Sequence, residues 1–327
     1  MIDGDRPFVT LRSHIALRYL KFTASLPVMV DLVTTAFIWG FSFALAKKAL
    51  NNLSPYELVT IRLALGALTV FILTNFSAFR VPRILSGSAK KSFKREKLKV
   101  AFLIGLFEFA STYILYTWSL KFLPSGVVGT LTLLTPVLTY SVSMLAGISK
   151  WSGKALLSIS LSILGAALCF PMTRIFAGFH PEASAVTGFM LIMISNLFFA
   201  VGNVIITKTE RRGLWTQSLT FHGLGVGALL ALMACFVFPA GNYSRFSDYH
   251  VWLLPFYLGI VATGLGFFLW NRGVQKVSAT AASVVGNFKA PFSILWGALL
   301  LGESVSWSLM AGLLCLLAAV QVLPKKI

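Results

Sequence analysis

Ten stretches of roughly twenty predominantly apolar residues follow one another along this chain, near 29–49, 56–75, 99–118, 125–147, 153–171, 187–207, 217–238, 251–271, 278–300 and 307–323. About twenty such residues is the length of a helix that crosses the hydrocarbon layer of a bilayer. A backbone in that layer finds no water to bond with, so a chain of this pattern is expected to fold as helices throughout. The predicted fold class is an all-α integral membrane protein with ten transmembrane helices. Composition agrees: 57% of the 327 residues are hydrophobic, 12% are charged and the mean hydropathy is +0.82. A soluble domain carries about twice that share of charge. The N-terminus has no small-residue cleavage pattern after its first apolar run, so it does not read as a secretory signal. Residues 8–22 mix apolar and basic positions and suit either a short interfacial helix or an unstructured tail.

The net charge of +18 admits two readings, nucleic-acid binding or membrane orientation. Position separates them. With the N-terminus in the cytoplasm, 21 of the 28 Lys and Arg residues fall on the inner side, eight of them in the block 80–99 between the second and third spans. That block lacks the interleaved aromatics of a nucleic-acid platform, and attraction to anionic lipid headgroups is its plainer role. No nucleic-acid partner is expected. Both termini come out cytoplasmic, in what is expected to be a bacterial inner membrane. Cys169, Cys235 and Cys315 stand apart inside apolar runs, without metal-ligand spacing, and neither metal nor cofactor is expected.

A displacement of 155 residues superposes Lys121 on Lys276, Pro136 on Pro291 and Gly147 on Gly302. Around them recurs one build: a polar corner with Lys, a span rich in small residues, a Pro near its middle and a Gly at its end. Five spans per copy is an odd number, so the second copy is inverted relative to the first. Two inverted five-helix repeats are an architecture of secondary transporters, with substrate held near the midplane. The expected organisation is a cytoplasmic segment 1–28, a first repeat 29–171, an outer linker 172–186 and a second repeat 187–323.

The segment Phe37-Ile38-Trp39-Gly40-Phe41-Ser42-Phe43 resembles the opening Trp-Gly signature of the drug/metabolite transporter superfamily, in particular its ten-helix EamA-type members. The Pro136 and Pro291 segments look like that family's fourth and ninth helices, and Leu301-Gly302-Glu303-Ser304 resembles its Gly-Glu element. In the first half the corresponding stretch reads Gly147-Ile148-Ser149-Lys150, without the acid. The resemblance spans about residues 29–323. It implies ten helices with both termini inside and alternating access driven by a substrate or ion gradient. ATP hydrolysis is not implied, and no Walker-type loop occurs in the chain.

Ionisable residues inside spans mark the chemistry, because each is costly in hydrocarbon unless paired or facing water. Glu108 lies half-way along the third span, with Thr112 and Tyr116 at i+4 and i+8 on the same face of a regular helix. That stripe suits a cationic group, or else Glu108 ties helices together. Lys289, in Val285-Gly286-Asn287-Phe288-Lys289-Ala290-Pro291, sits where Pro291 frees carbonyls, with Asn287 beside it. The segment also resembles the Val-Gly-Asn-x-x-Lys element of sugar-phosphate translocators, in which the Lys meets an anion. An Arg follows there and Ala290 stands here, which favours a carboxylate over a phosphate. A Lys289–Glu108 ion pair in the empty cavity is the alternative.

Arg62 reads as a helix-packing or interfacial charge, able to snorkel outward, with contact to substrate as the alternative. Glu303 is expected to serve helix termination. Asn196, Phe199 and Asn203 share one face of the sixth span, and His222 is either a proton carrier or a packing residue. Trp39 and Phe43 share a face of the first span. With Phe267 and Trp270 they supply aromatic walls.

The expected activity is transport of a small amino-acid-like solute, S-adenosylmethionine or an amino acid. Glu108 would take its cationic part, Lys289 its carboxylate, and Trp39, Phe43, Thr112, Tyr116, Asn196, Asn203, Phe267, Trp270 and Asn287 the remainder. Export of cationic drugs or amines and sugar-phosphate exchange are the alternatives. An intramembrane enzyme lacks acids in the outer loops beyond Glu182 and Asp248, and a channel lacks a charged ring or filter repeat. Small residues around Gly165 and Gly312 leave a homodimer open.

Overall fold

The computed structural model describes residues 30–76, 90–169, 183–211, 217–239, 248–274 and 285–322. Among these the regular structure is helical, with no β-strand. Seven helices are long and apolar enough to cross a membrane: α1 (Val30–Ala49), α2 (Pro55–Phe76), α3 (90–119), α4 (Ser125–Leu145), α6 (Ala183–Arg211), α7 (Gln217–Val237) and α8 (His250–Val274). Three apolar helices are shorter: α5 (Gly153–Cys169), α9 (Lys289–Leu301) and α10 (Trp307–Val322). The 13 residues of α9 rise about 20 Å, less than the roughly 30 Å of a hydrocarbon core. The segment 278–300 was expected to be one unbroken span. Instead Val285 and Gly286 are helical, Asn287 and Phe288 form a turn, and α9 starts at Lys289, because Pro291 has no amide to continue an earlier helix. Residues 8–22 and Lys276 lie outside the described residues.

The basic block 80–99 is not wholly a loop, since its second half already belongs to α3. Lys, Arg and Glu are good helix formers, and the run Lys90–Ile104 continues without a breaker into the apolar span. At the other pole, α2 opens with Ser54 and Glu57 in a reciprocal cap. The Ser54 amide donates to Glu57 Oε2 at 2.8 Å and the Glu57 amide to Ser54 Oγ at 3.3 Å, with Pro55 in the first helical position.

Two spans change their winding mid-way. In α3 the residues Gly105–Ser111 form a π-helical turn between the α-helical parts Lys90–Ile104 and Thr112–Ser119. In α8 the residues Tyr257–Leu265 do the same. Helix α4 is broken at Thr132 and Leu133, and the helix leading to α9 at Asn287 and Phe288, positions 155 residues apart. Gly147 and Gly302, separated by that same spacing, close these segments with φ of 68° and 65°, a left-handed conformation that glycine adopts without penalty.

The bundle is tied by close helix pairs, α5 on α10 and α2 on α7 foremost. Gly165 and Gly312, which the sequence left open as a contact between protomers, face each other within the chain. A Cβ on Gly165 would lie 2.7 Å from Leu316 Cγ, and one on Gly312 only 2.5 Å from Cys169 Sγ. Small residues are consumed here inside the chain because they let the α5 and α10 backbones touch. Replacing Gly312 with Leu is therefore expected to force the pair apart, at roughly 1–3 kcal/mol by analogy with overpacked cores. A melting temperature in detergent lowered by several degrees, against little change for an Ala-to-Leu swap on an exposed face, checks this.

Candidate functional site

A cavity of about 630 Å³, open solvent at its mouth included, lies where α1, α2, α3, α4, α6, α8 and α9 converge. Helix α1 contributes Trp39, Ser42 and Phe43, and α3 contributes Thr112, Tyr113 and Tyr116. Helix α6 adds Ile192, Ser195, Asn196 and Phe199, while Thr132 and Thr135 flank the break in α4. Phe267 closes the aromatic side. The two charged residues of the lining are Arg62 and Lys289, and it contains no carboxylate.

The winding defects hold these groups in place. An unwound turn releases carbonyls from the helical ladder, and buried carbonyls need donors. Ala262, within the π-turn of α8, accepts from Trp39 Nε1 at 3.0 Å, and this bond sets the indole across the cavity wall. Behind it the ring packs on Phe267 and Trp270, with centroids 5.5 and 5.3 Å away. The Leu131 carbonyl, at the break in α4, accepts from Asn196 Nδ2 at 2.9 Å, and Thr135 Oγ1 donates to Asn196 Oδ1 at 3.3 Å. Thr112 Oγ1 donates to the Phe107 carbonyl at 2.8 Å, the five-residue reach of a π-turn, and Ser195 Oγ donates to the Thr112 carbonyl at 2.9 Å.

Of the roles expected for Arg62, the structure excludes the interfacial one and agrees with helix packing. It does not snorkel to an interface; it is 3% exposed and lines the cavity. Its Nε donates to Thr263 Oγ1 at 2.8 Å, an Nη donates to the Tyr116 hydroxyl, and the guanidinium stands 4.8 Å from the Tyr113 ring centroid. The usable signal was the Ser54–Glu57 cap. It starts the helix at Pro55, placing Arg62 seven residues and about 10 Å along the span, too deep for an easy return to water. Tyr113 was not assigned to the expected site, yet it lines the cavity.

The Glu108–Thr112–Tyr116 stripe does not line the cavity whole: Glu108 lies a turn earlier along α3 than Thr112. Thr112 and Tyr116 line the cavity, whereas Glu108 is buried against α6, where a Cβ on Gly202 would lie 2.7 Å from Glu108 Cβ. Among the described residues no ion pair joins Glu108 to Lys289. The Lys289 ammonium instead lies 6.0 Å from the Trp39 ring centroid.

Of the other expected residues, Trp39, Phe43, Asn196, Phe267 and Lys289 line the cavity, and Trp270 stands one layer behind as the support of Trp39. Asn203 is outside the lining, its carbonyl taken by Thr207. Asn287 is buried beside the break, also outside the lining. His222 is exposed, its ring against Phe221, and does not reach the cavity.

Glu303 works at the edge of the bundle. It accepts from the Ser125 amide and hydroxyl at 2.7 and 2.8 Å and from the Gly126 amide at 3.1 Å, and pairs with Lys47 at 3.0 Å. It thus caps α4 from the far end of the chain rather than only ending α9. Burial alone would raise its carboxyl, but the Ser125 hydrogen bonds and Lys47 outweigh that and hold it below the usual carboxylate range.

The chain belongs to the EamA-like transporter family, whose model matches residues 28–170 and 186–323. It is an integral membrane protein of the drug/metabolite transporter superfamily, as the resemblance in its first, fourth and ninth spans led one to expect. Among curated relatives, "Uncharacterized transporter YoaV" of Bacillus subtilis is 21% identical over 287 residues, covering 88% of this chain and 93% of that one. "Probable biotin transporter" of Pseudomonas aeruginosa is 28% identical over 274 residues, covering 81% and 86%. "Biotin transporter" of Escherichia coli K12 is 25% identical over 298 residues, covering 90% and 92%. A solved structure described only as a protein crystal structure superposes with a TM-score of 0.59 at 15% identity, over 90% of this chain and 95% of its own, a likeness of fold.

The depressed carboxyl of Glu303 gives a pH-dependent outcome. A group whose folded-state value lies below its unfolded value of about 4.3 stabilises the fold above that value and ceases to do so as pH falls through the folded one. Glu303→Gln is expected to lower the melting temperature at pH 7, and the gap from the parent protein is expected to narrow below about pH 4. Melting curves across pH 3–8 in detergent measure it.

Proposed function

We propose that this chain is a secondary transporter of two inverted five-helix repeats, 29–171 and 187–323, carrying a small carboxylate with an apolar, ring-bearing body. The observation that carries the reading is the lining of the cavity, where Arg62 and Lys289 supply the charge, no acid opposes them, and Trp39, Phe43, Tyr113 and Phe267 form apolar walls. Arg62, whose Nε and one Nη already donate to Thr263 and Tyr116, offers its remaining Nη donors to a carboxylate, and Lys289 adds a point charge. Thr112, Tyr116, Ser195 and Asn196 are placed to meet polar atoms of the body. Biotin, the cargo in the names of two relatives, has this chemistry and is the first candidate.

An amino acid or S-adenosylmethionine would also place its carboxylate on Arg62 and Lys289. Its cationic end then needs an acid in the lining, and Glu108 stands outside it. That weighs against the zwitterion and, more strongly, against cationic drugs or amines. For a sugar phosphate the Lys-Arg pairing of the translocators is interrupted by Ala290.

All ten helices are taken to cross the bilayer, α5, α9 and α10 with local thinning or help from flanking polar residues. Both termini are assigned to the cytoplasmic side of a bacterial inner membrane on the distribution of Lys and Arg.

A melting screen of the purified protein against biotin, other ring-bearing carboxylates, S-adenosylmethionine, amino acids and sugar phosphates tests the substrate class. A ligand at a hundredfold excess over its Kd stabilises by about 2.7 kcal/mol. Ring-bearing carboxylates are expected to raise the melting temperature, and a response confined to S-adenosylmethionine, amines or sugar phosphates overturns the reading. Arg62→Gln and Lys289→Ala should each weaken carboxylate binding about 10- to 150-fold, the loss of one charged hydrogen bond of roughly 1.5–3 kcal/mol. Reporter fusions at the two ends check the orientation, with cytoplasmic-type signals expected from both.

A further inference from the structure

The polar side chains of the cavity differ in what they have left to offer a solute. A serine or threonine hydroxyl has one hydrogen to donate and two lone pairs with which to accept. Five such hydroxyls belong to the lining, on Ser42, Thr112, Thr132, Thr135 and Ser195. Each already donates its hydrogen within the protein. Ser42 Oγ donates to the Trp39 carbonyl at 2.7 Å, Thr132 Oγ1 to the Gly129 carbonyl at 2.7 Å, and Ser195 Oγ to the Thr112 carbonyl at 2.9 Å. Thr112 Oγ1 donates to the Phe107 carbonyl at 2.8 Å, and Thr135 Oγ1 to Asn196 Oδ1 at 3.3 Å.

The direction of these bonds is forced. Four of the partners are backbone carbonyls, which have no hydrogen to give. The fifth is fixed by Leu131, whose carbonyl accepts from Asn196 Nδ2 and so turns the amide oxygen toward Thr135. What these hydroxyls can present to a solute is therefore a lone pair. The donors of the lining are different groups: the remaining Nη hydrogens of Arg62, the Lys289 ammonium, the phenols of Tyr113 and Tyr116, and one N–H left on Asn196.

The two sets call for different chemistry. The cationic donors suit the carboxylate. Against the hydroxyls, a group that only accepts, such as an ether or a ketone, would set lone pair against lone pair in a place with little water to relieve it. A charged donor is disfavoured as well, because Arg62 and Lys289 share the cavity and no acid in its lining offsets them. The group that satisfies this wall is a neutral N–H or O–H.

Resting on the carboxylate reading, we propose that the hydroxyl wall formed by α1, α3, α4 and α6 is the specificity site for the ring end of the cargo. It takes a ring bearing a neutral hydrogen-bond donor, such as the N–H of a urea, lactam or indole. The cargo lies with its carboxylate toward Arg62 and Lys289 and its N–H on the lone pairs of the wall. A carboxylate of the same size whose ring end only accepts is rejected for want of a donor. A site built to bond a substrate N–H discriminates strongly, since its own buried groups stay unpaired when that N–H is missing.

The test titrates matched pairs of ring-bearing carboxylates into the purified full chain. Indole-3-propionate is set against benzofuran-3-propionate, where oxygen replaces the N–H at equal size, and biotin against biotin methylated on both ring nitrogens. In each pair that binds, the member with the N–H is expected to bind at least about tenfold tighter, the effect of one hydrogen bond left unmade. The five hydroxyls are then removed one at a time, as Ser→Ala or Thr→Val, Ser42→Ala and Thr135→Val among them. At least one removal is expected to shrink the gap between indole and benzofuran to within about threefold. Members of a pair that bind the parent protein alike overturn the proposal, and so does a gap that persists in all five variants. The primary amides of the same compounds report on the carboxylate site separately. Amides that bind worse than their acids uphold that site even if the N–H proves irrelevant. Amides that bind as well as their acids, or carboxylates that do not bind at all, remove both readings together.

Discussion

Inside an apolar layer a carbonyl released from its helix must be claimed by another donor, and that requirement organises this protein. The π-turn of α8 releases Ala262, which holds the Trp39 indole; the break in α4 releases Leu131, which holds Asn196; the π-turn of α3 gives Phe107 to Thr112. Each defect therefore brings a side chain to a defined place on the cavity wall. A bundle of unbroken helices would satisfy its backbone equally well and would lack the donors and acceptors that a polar solute needs.

The charges divide by the same logic. Helix α1 is anchored at both ends, Asp31 at its start by Arg272 of α8 and Lys47 at its end by Glu303 beside α4. Those ions are satisfied in pairs near the ends of the bundle. Between the anchors lie Trp39 and Phe43, so the helix carrying the aromatic wall is pinned at both ends to the second half of the chain. At mid-depth the charges are separated instead. Arg62 and Lys289 line the cavity and Glu108 does not, and the proposal of an anionic cargo rests on this asymmetry.

The 155-residue correspondence gains physical content in the structure. Lys, Pro and Gly coincidences in the sequence become a helix break ahead of each Pro and a left-handed glycine closing each segment, with π-turns in the third and eighth helices. The halves are not equivalent, however. Glu303 of the second caps Ser125 of the first, while the corresponding stretch Gly147-Ile148-Ser149-Lys150 carries no acid, so the stitch of α4 to the far end of the chain has no acidic counterpart at Ile148.

What the sequence determined alone was what depends on polarity summed over a segment: that the chain is helical and lies in a bilayer, and roughly where each helix runs; it also grouped Trp39, Phe43, Phe267 and Lys289, which line one cavity. Hydrophobic length and the period of a regular helix are local properties and can be read residue by residue. The tertiary structure decided which helices meet. Tyr113 lines the cavity while Glu108 is buried against Gly202 of α6, and the packing of α3 and α8 around α2 drew Arg62 inward to Tyr116 and Thr263. Gly165 and Gly312 likewise looked outward until α5 and α10 were seen to close on each other. In each case the deciding partner lies on another helix, and no window along the chain contains it.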